Sequence, residues 1–134
     1  MGYCIDYEEG KIRLTNENMK KALKVLSGKK IRWCNGFDYE NIDFLDNEEV
    51  NNYNYDSMSV YDVWEDLRYD VDYIDDSWYI CGFLGEKYGL DDELFNLIAP
   101  YCEDGYIQFC GEDGEHFRFV IKDGKFHEVH AKLN

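Results

Sequence analysis

The chain has 134 residues, enough for one domain with a buried core, and its 14 basic and 29 acidic residues give a formal net charge of −15. A surface of that sign repels phosphate backbones and anionic lipid headgroups, which argues against direct binding to nucleic acid or membranes and favours a basic partner. Aromatic residues make up 17% of the chain, whereas disordered acidic chains contain few, so we expect a folded protein.

The cysteines indicate a reducing compartment. There are five, an odd number without a C-x-x-C pair, and this does not suit a disulfide framework. The N-terminus lacks the basic and apolar regions of a secretory signal, and no stretch approaches the roughly 18 apolar residues of a membrane span. We therefore expect a cytoplasmic protein without membrane association, and the sequence leaves its oligomeric state open.

The N-terminal segment predicts a β-hairpin followed by a helix. Apolar residues alternate with others over residues 3–14 around a turn at 8–11, which is typical of a hairpin. Apolar residues then recur at helical spacing over 19–26, behind an N-cap at Thr15 or Asn16.

The middle of the chain begins with a predicted short strand at residues 31–34. A polar stretch with weak periodicity continues to about Ser59. A helix is predicted from Val60 to Arg68, with Ser59 as its cap and Asp62 completing a capping box.

The remaining sequence predicts mostly antiparallel strands. Alternation near residues 69–73 and 78–83 indicates a second hairpin, and helical spacing over 90–101 indicates an amphipathic helix that Pro100 helps to end. Three further strands, separated by glycine-containing turns, form a meander at 106–110, 116–121 and 125–131. The prediction is one α+β domain over residues 1–134, with an antiparallel sheet, a C-terminal three-stranded meander and two to three helices.

Parts of the C-terminal third resemble a group of small uncharacterised proteins from bacteria and their phages. The resemblance rests on residues 83–89 and 94–101 and on the segment GEDG at 111–114, which precedes Phe117-Arg118-Phe119. In that group the last motif more often has tryptophan on both sides of the arginine, so the phenylalanines preserve an aromatic strand. The resemblance implies a phage or mobile-element origin and carries no activity or catalytic residue with it.

Residues that usually catalyse reactions or bind metals form no recognisable motif. Three cysteines, expected to be small core residues, lie in strand-like apolar segments: Cys4, Cys81 and Cys110. His127 and His130 are three apart in a predicted strand, which points them to opposite faces and disfavours a shared zinc ion. The aspartates of residues 70–76 do not follow the EF-hand spacing. We predict no catalytic residue, no metal and no cofactor.

The negative charge is concentrated in the middle of the chain. Residues 37–78 contain 14 acidic groups and one basic group, whereas residues 1–36 have a net charge of +4 and residues 79–134 one of −6. Two explanations are open. Either the carboxylates coat a surface for solubility while the Tyr and Trp residues of this segment form the core, or the segment is an interface that combines carboxylates with aromatic contacts.

The interface hypothesis names a set of side chains. Carboxylates on one face of a helix rise by about 5.4 Å per turn, comparable with the roughly 3.4 Å of helix axis per phosphate of a DNA strand. The candidate partner-binding residues are Asp62, Glu65, Asp66, Tyr69, Asp70, Asp72, Asp75 and Asp76. The predicted function is a non-enzymatic acidic binding protein, a phage or mobile-element inhibitor that mimics nucleic acid and occupies a basic site on a host defence or nucleic-acid-handling protein.

Two other functions remain open. One is a small-molecule or nucleotide-binding protein that sequesters or hydrolyses its ligand at the C-terminal sheet, with His116 and Arg118 on one strand face as anion contacts. The other is an accessory protein whose partner does not bind nucleic acid.

Overall fold

A computed structural model describes residues 2–29, 36–44 and 58–130, so the predicted strand at 31–34 lies outside the described residues. The strands are β1 (Tyr3–Thr15), β2 (Ile42–Asp43), β3 (Met58–Ser59), β4 (Tyr69–Ile74), β5 (Ser77–Phe83), β6 (Lys87–Tyr88), β7 (Gly105–Gly111), β8 (His116–Lys122) and β9 (Lys125–His130). The α-helices are α1 (Asn16–Leu26), α2 (Val60–Asp66) and α3 (Asp91–Ile98), and short 3-10 helices occupy Tyr39–Asn41 and Ala99–Tyr101.

The main sheet is antiparallel and has the strand order β4-β5-β1-β7-β8-β9, with β6 paired to the start of β1. The C-terminal meander is confirmed as β7, β8 and β9, and the second hairpin is confirmed as β4 and β5. Asp75 and Asp76 form the two-residue turn of that hairpin, with φ angles of 50° and 65°, as a primed hairpin turn requires. The predicted α+β fold is therefore confirmed, and β2 and β3 add a small parallel sheet.

The N-terminal segment is one strand of 13 residues, so the predicted hairpin over residues 3–14 is wrong. β1 pairs with β7 along most of its length and with β5 along its last four residues. The register shifts between Tyr7 and Glu9, which leaves Glu8 as the extra residue of a β-bulge, and Gly10 has a φ of 96°. These turn-forming residues bend the strand without reversing it, because both flanks find partners far away in the sequence.

Helices cover one face of the sheet. Residues that alternate along the strands are buried on that face, and they include Ile12, Ile80 and Phe119. Trp64 of α2 donates from its indole N–H to the sulfur of Met19 in α1 at 3.2 Å, so the helices also contact one another. The opposite face has no helix over it in the described part of the chain, and we name it the uncovered face.

Both predicted helix caps are confirmed. Thr15 accepts a hydrogen bond from the backbone N–H of Asn18 at 3.1 Å, and Ser59 and Asp62 form a reciprocal capping box. α2 ends two residues before its predicted end, because Arg68 adopts a φ of 74° on the way into β4. The longest described helix has 11 residues, and no helix in residues 2–29, 36–44 and 58–130 is long and apolar enough to cross a membrane.

Residues 37–78, in which the negative charge is concentrated, are called the acidic middle below. Their described aromatic residues belong to the core or lie against it. Trp64, Trp78 and Tyr69 are at most 1% exposed. Partly buried residues of the same segment pack against this core, namely Phe37, Tyr39, Phe44, Tyr61 and Tyr73. Tyr53 and Tyr55 lie outside the described residues. Among the described residues of this segment, most carboxylates are exposed, whereas the aromatic side chains are buried or partly buried.

Candidate binding surfaces

The predicted partner-binding residues lie on α2 and along β4, an edge strand of the described sheet. On β4 the exposed Asp70 and Asp72 alternate with the buried Tyr69 and Val71, because successive side chains of a strand point to opposite faces. Together with residues of α2 and of the β4–β5 turn they form what we name the acidic edge: Glu65, Asp66, Asp70, Asp72, Asp75 and Asp76, all exposed.

Within the described residues, the acidic edge has no basic side chain at ion-pair distance. Asp76 accepts a hydrogen bond from the hydroxyl of Tyr73 at 2.5 Å, and Asp72 accepts one from the thiol of Cys81 at 3.5 Å. Burial, together with the nearby Asp72, raises the pKa of Cys81 to about 11, so this neighbour stays protonated.

Two of the predicted contact residues have structural roles. The carboxylate of Asp62 accepts hydrogen bonds from the backbone N–H and the hydroxyl of Ser59, both at 3.0 Å. Tyr69 is 1% exposed and donates its hydroxyl proton to Asp91 at 2.6 Å. The structure therefore places Asp62 in a helix cap and Tyr69 in the core, so neither belongs to the acidic edge.

The single basic residue of the acidic middle points away from the acidic edge. Arg68 donates from Nη2 to both carboxylate oxygens of Asp91, at 2.8 and 3.1 Å, and from Nη1 to the carbonyl of Lys87 at 2.8 Å. Asp91 is 0% exposed and also accepts from the backbone N–H of Gly89 at 2.7 Å. Burial and the adjacent carboxylate hold the pKa of Tyr69 well above its usual range. In the sequence, Asp91 is a residue near the start of the helix predicted over 90–101, and no local pattern indicates that it is buried.

A cleft of about 360 Å³ lies at the end of the acidic edge, between the β4–β5 turn and the start of α1. Its lining includes Glu17, Asp75 and Asp76, and also Arg13, which pairs with Glu103. Three carboxylates around an open cleft of this size can receive a basic side chain.

A second polar surface lies on the uncovered face of the sheet, where β1, β7 and β8 are adjacent. His116 Nδ1 lies 2.5 Å from a carboxylate oxygen of Glu8, and Gln108 donates to the same oxygen at 3.1 Å. Arg118 donates from Nε to the side-chain oxygen of Gln108 at 2.7 Å, and its guanidinium carbon lies 4.0 Å from the ring centre of Tyr106. The hydrogen bonds from His116 and Gln108 lower the pKa of Glu8.

The predicted anion contacts His116 and Arg118 occupy the same face of β8, but their surroundings favour cations. His116 is engaged with Glu8, so an anionic ligand would have to displace that carboxylate. Tyr106 donates to another carboxylate, Glu9, at 2.8 Å. The density of carboxylates makes this surface a poor place for a phosphate group.

The cysteines differ from the core positions expected for them. Cys4, Cys81 and Cys110 lie on strands, as predicted, but all three are partly exposed, and only Cys102 of the described cysteines is buried. Burial raises the pKa of Cys102 to about 12. Alternation along a short strand does not show which of its two faces the helices cover. The sequence therefore did not show that Cys110 lies on the uncovered face beside His116.

A known relative would indicate which of these surfaces is used. Comparison with protein-family models, with curated proteins and with solved structures finds no match to this chain.

Proposed function

We propose that this is a non-enzymatic binding protein that presents its acidic edge to a basic surface on another protein, of the kind that otherwise holds nucleic acid. The observation that carries the proposal is the set of six exposed carboxylates without a salt bridge among the described residues. The only arginine of the segment is turned inward to Asp91. A row of uncompensated like charges is destabilising in isolation, and a basic partner would remove that repulsion.

The arrangement of the carboxylates supports nucleic-acid mimicry. Asp70 and Asp72 point the same way from one strand, so about 6.8 Å of strand separates them. Along the axis of duplex DNA, two successive phosphate steps of one strand rise by about the same length. Because β4 is held by β5 and by the core, the carboxylates are preorganised and their ordering costs little on binding.

The setting we propose for this encounter is the cytoplasm of a host cell, with a phage or mobile element as the source of the gene. The four described cysteines are free thiols, which supports a reducing compartment. A host defence protein or a nucleic-acid-handling protein has the basic groove that the acidic edge would fill.

A purely structural explanation of the acidic edge competes with this proposal. Charged side chains on an edge strand discourage pairing with the edge of another molecule. On that explanation, neutralising Asp70 and Asp72 would promote self-association and leave the affinity for any partner unchanged. The two explanations therefore differ in what they predict for one set of variants.

The experiment compares two triple variants with the same change in net charge. The edge variant combines Glu65→Gln, Asp70→Asn and Asp72→Asn and leaves the cap residue Asp62 intact. The control variant neutralises three exposed carboxylates elsewhere: Glu86→Gln, Asp92→Asn and Glu93→Gln.

Proteins captured from host lysate by the unmodified chain are titrated with each variant at low and moderate salt. If each lost contact is worth about 0.5 kcal/mol, the edge variant binds about tenfold more weakly than the control variant, and the difference shrinks as salt rises. If both variants weakened partner binding equally, the effect would come from net charge alone. This would contradict a specific role of the acidic edge in binding. Failure of a duplex oligonucleotide to compete with the chain for its partner would contradict the mimicry.

A further inference from the structure

The geometry points to a transition-metal site on the uncovered face of the sheet, and we propose that Glu8, Cys110 and His116 bind one divalent ion of the Zn²⁺ type. Each residue offers one ligand atom, and these carboxylate, thiol and imidazole atoms all lie within 4.8 Å of one another. The site is distinct from the acidic edge, and neither proposal depends on the other.

Backbone pairing brings the three donors together. Cys110 and His116 are directly opposite each other in the register of β7 and β8, a relation that holds their Cβ atoms about 5 Å apart. Glu8 is the extra residue of the β1 bulge, and a bulge re-aims the side chain that it carries. The three ligands therefore come from three adjacent strands whose relative positions are fixed by the sheet.

The distances require only small movements to coordinate zinc. Bonds of about 2.0 Å to nitrogen and oxygen and about 2.3 Å to sulfur, at tetrahedral angles, separate the ligand atoms by about 3.3–3.6 Å. His116 Nδ1 and the Glu8 oxygen are 2.5 Å apart, and all three ligand atoms lie within 4.8 Å of one another. An ion fits between them when the nitrogen and the oxygen move apart by about 0.8 Å and the thiol sulfur approaches by at most about 1.3 Å.

The chemistry of the donors selects the class of ion. Sulfur and imidazole nitrogen suit zinc and its neighbours in the first transition row, whereas Ca²⁺ and Mg²⁺ prefer oxygen donors throughout. On binding, the thiol proton of Cys110 leaves to solvent and a sulfur–metal bond forms, and His116 coordinates through Nδ1 as the neutral imidazole with its hydrogen on Nε2. Three protein ligands leave the fourth position of a tetrahedral ion to water or to a group from outside the chain.

Neighbouring side chains hold the carboxylate ligand in place. Gln108 donates to Glu8 at 3.1 Å, and Arg118 in turn donates to Gln108 at 2.7 Å while it stacks on Tyr106. Metal ligands in proteins are commonly oriented by such outer hydrogen bonds, whose loss weakens metal binding about 10–100-fold. The same hydrogen bonds order polar side chains on the uncovered face, where contact with solvent alone would leave them mobile.

The test uses the full-length, reduced and metal-stripped protein, titrated with Co²⁺ as a spectroscopic substitute for Zn²⁺. We expect one equivalent of Co²⁺ to produce a thiolate-to-cobalt absorption band, and Zn²⁺ to abolish it. Cys110→Ser removes the band, Glu8→Gln and His116→Asn weaken binding at least tenfold, and Gln108→Leu weakens it about tenfold through the orientation of Glu8.

The matched control is Cys81→Ser, which removes another partly exposed thiol beside a carboxylate on the same face. This variant should keep the full band and the full affinity. A band that survives in Cys110→Ser, that disappears in Cys81→Ser, or that never forms in the unmodified protein overturns the proposal. Far-UV circular dichroism confirms that each variant is folded, and Glu8→Gln, which changes an exposed side chain, gives a second test if Cys110→Ser is not.

Discussion

Replacing Asp91 with alanine is expected to destabilise the fold by about 4 kcal/mol, because it removes the counter-charge of a mostly buried arginine. The Asp91 side chain is 0% exposed and that of Arg68 is 19% exposed. Besides Arg68, the carboxylate accepts from the Tyr69 hydroxyl at 2.6 Å and from the Gly89 N–H at 2.7 Å. The substitution therefore removes the carboxylate that Arg68, the Tyr69 hydroxyl and the Gly89 N–H share, although Arg68 keeps its hydrogen bond to the carbonyl of Lys87.

The magnitude follows from these contacts. Breaking a buried ion pair by removing one partner costs about 3–5 kcal/mol, and the partial exposure of Arg68 places its share at the lower end. Each orphaned hydrogen-bond donor adds about 1 kcal/mol where water does not reach it. A total near 4 kcal/mol is a large part of the roughly 5–15 kcal/mol by which a domain is stable.

Urea unfolding followed by tryptophan fluorescence measures this loss. The control is Asp92→Ala, which truncates the exposed neighbour on the same helix and should change the free energy of unfolding by less than about 0.5 kcal/mol. In a double-mutant cycle, Tyr69→Phe should cost less in the Asp91→Ala background than in the unmodified protein, since the shared hydrogen bond is already lost. A difference of less than about 1 kcal/mol between Asp91→Ala and Asp92→Ala would refute the reasoning.

Two further changes probe the backbone and the dependence on pH. Gly10 and Gly124 both have positive φ angles, so Gly124→Ala should lower the free energy of unfolding by about 1 kcal/mol. Gly10→Ala should lower it by about 3 kcal/mol, because a Cβ at Gly10 would also lie 2.3 Å from the carbonyl oxygen of Tyr106. Equal losses in thermal unfolding would contradict this. The hydrogen bond with Glu128 raises the pKa of His130 above its ordinary 6.5, so the stability it contributes is fully present below about pH 6.5 and is lost as pH rises through the raised pKa. His130→Gln should accordingly lower the free energy of unfolding in urea by less than about 1 kcal/mol near pH 5.5 and have little effect near pH 9, and the same difference at both pH values would count against the contact.

The sequence predicted those elements whose signals are local. Helical spacing and capping residues located α1 and α2, and the glycine-containing turns located the meander, because hydrogen bonds within a few residues decide these structures. The two-residue strand β6 and the short strands β2 and β3 carried no such signal.

Structure that depends on distant pairing was not accessible in the same way. Residues 8–11 have the composition of a turn, yet β7 and β5 hold this segment as a continuous bent strand. The acidic edge was predictable from charge alone, since exposed aspartates need no partner in the chain. The meeting of Glu8 with Cys110 and His116 depends on the register of strands about 100 residues apart, which no local pattern encodes. The burial of Asp91 depends on tertiary contacts with Arg68 and Tyr69.

The central position of β1 has a consequence for how the chain reaches its fold. The hairpin β4–β5 and the meander β7–β9 join neighbours in sequence and can form within microseconds, whereas β1 must find strands that are synthesised long after it. β1 precedes its partners in the chain, and we expect it to be secured last, as the strand that joins the hairpin to the meander. Its amide hydrogens should exchange with solvent only when the whole molecule unfolds, and a chain cut short before β7 would leave an apolar strand open to association with other copies.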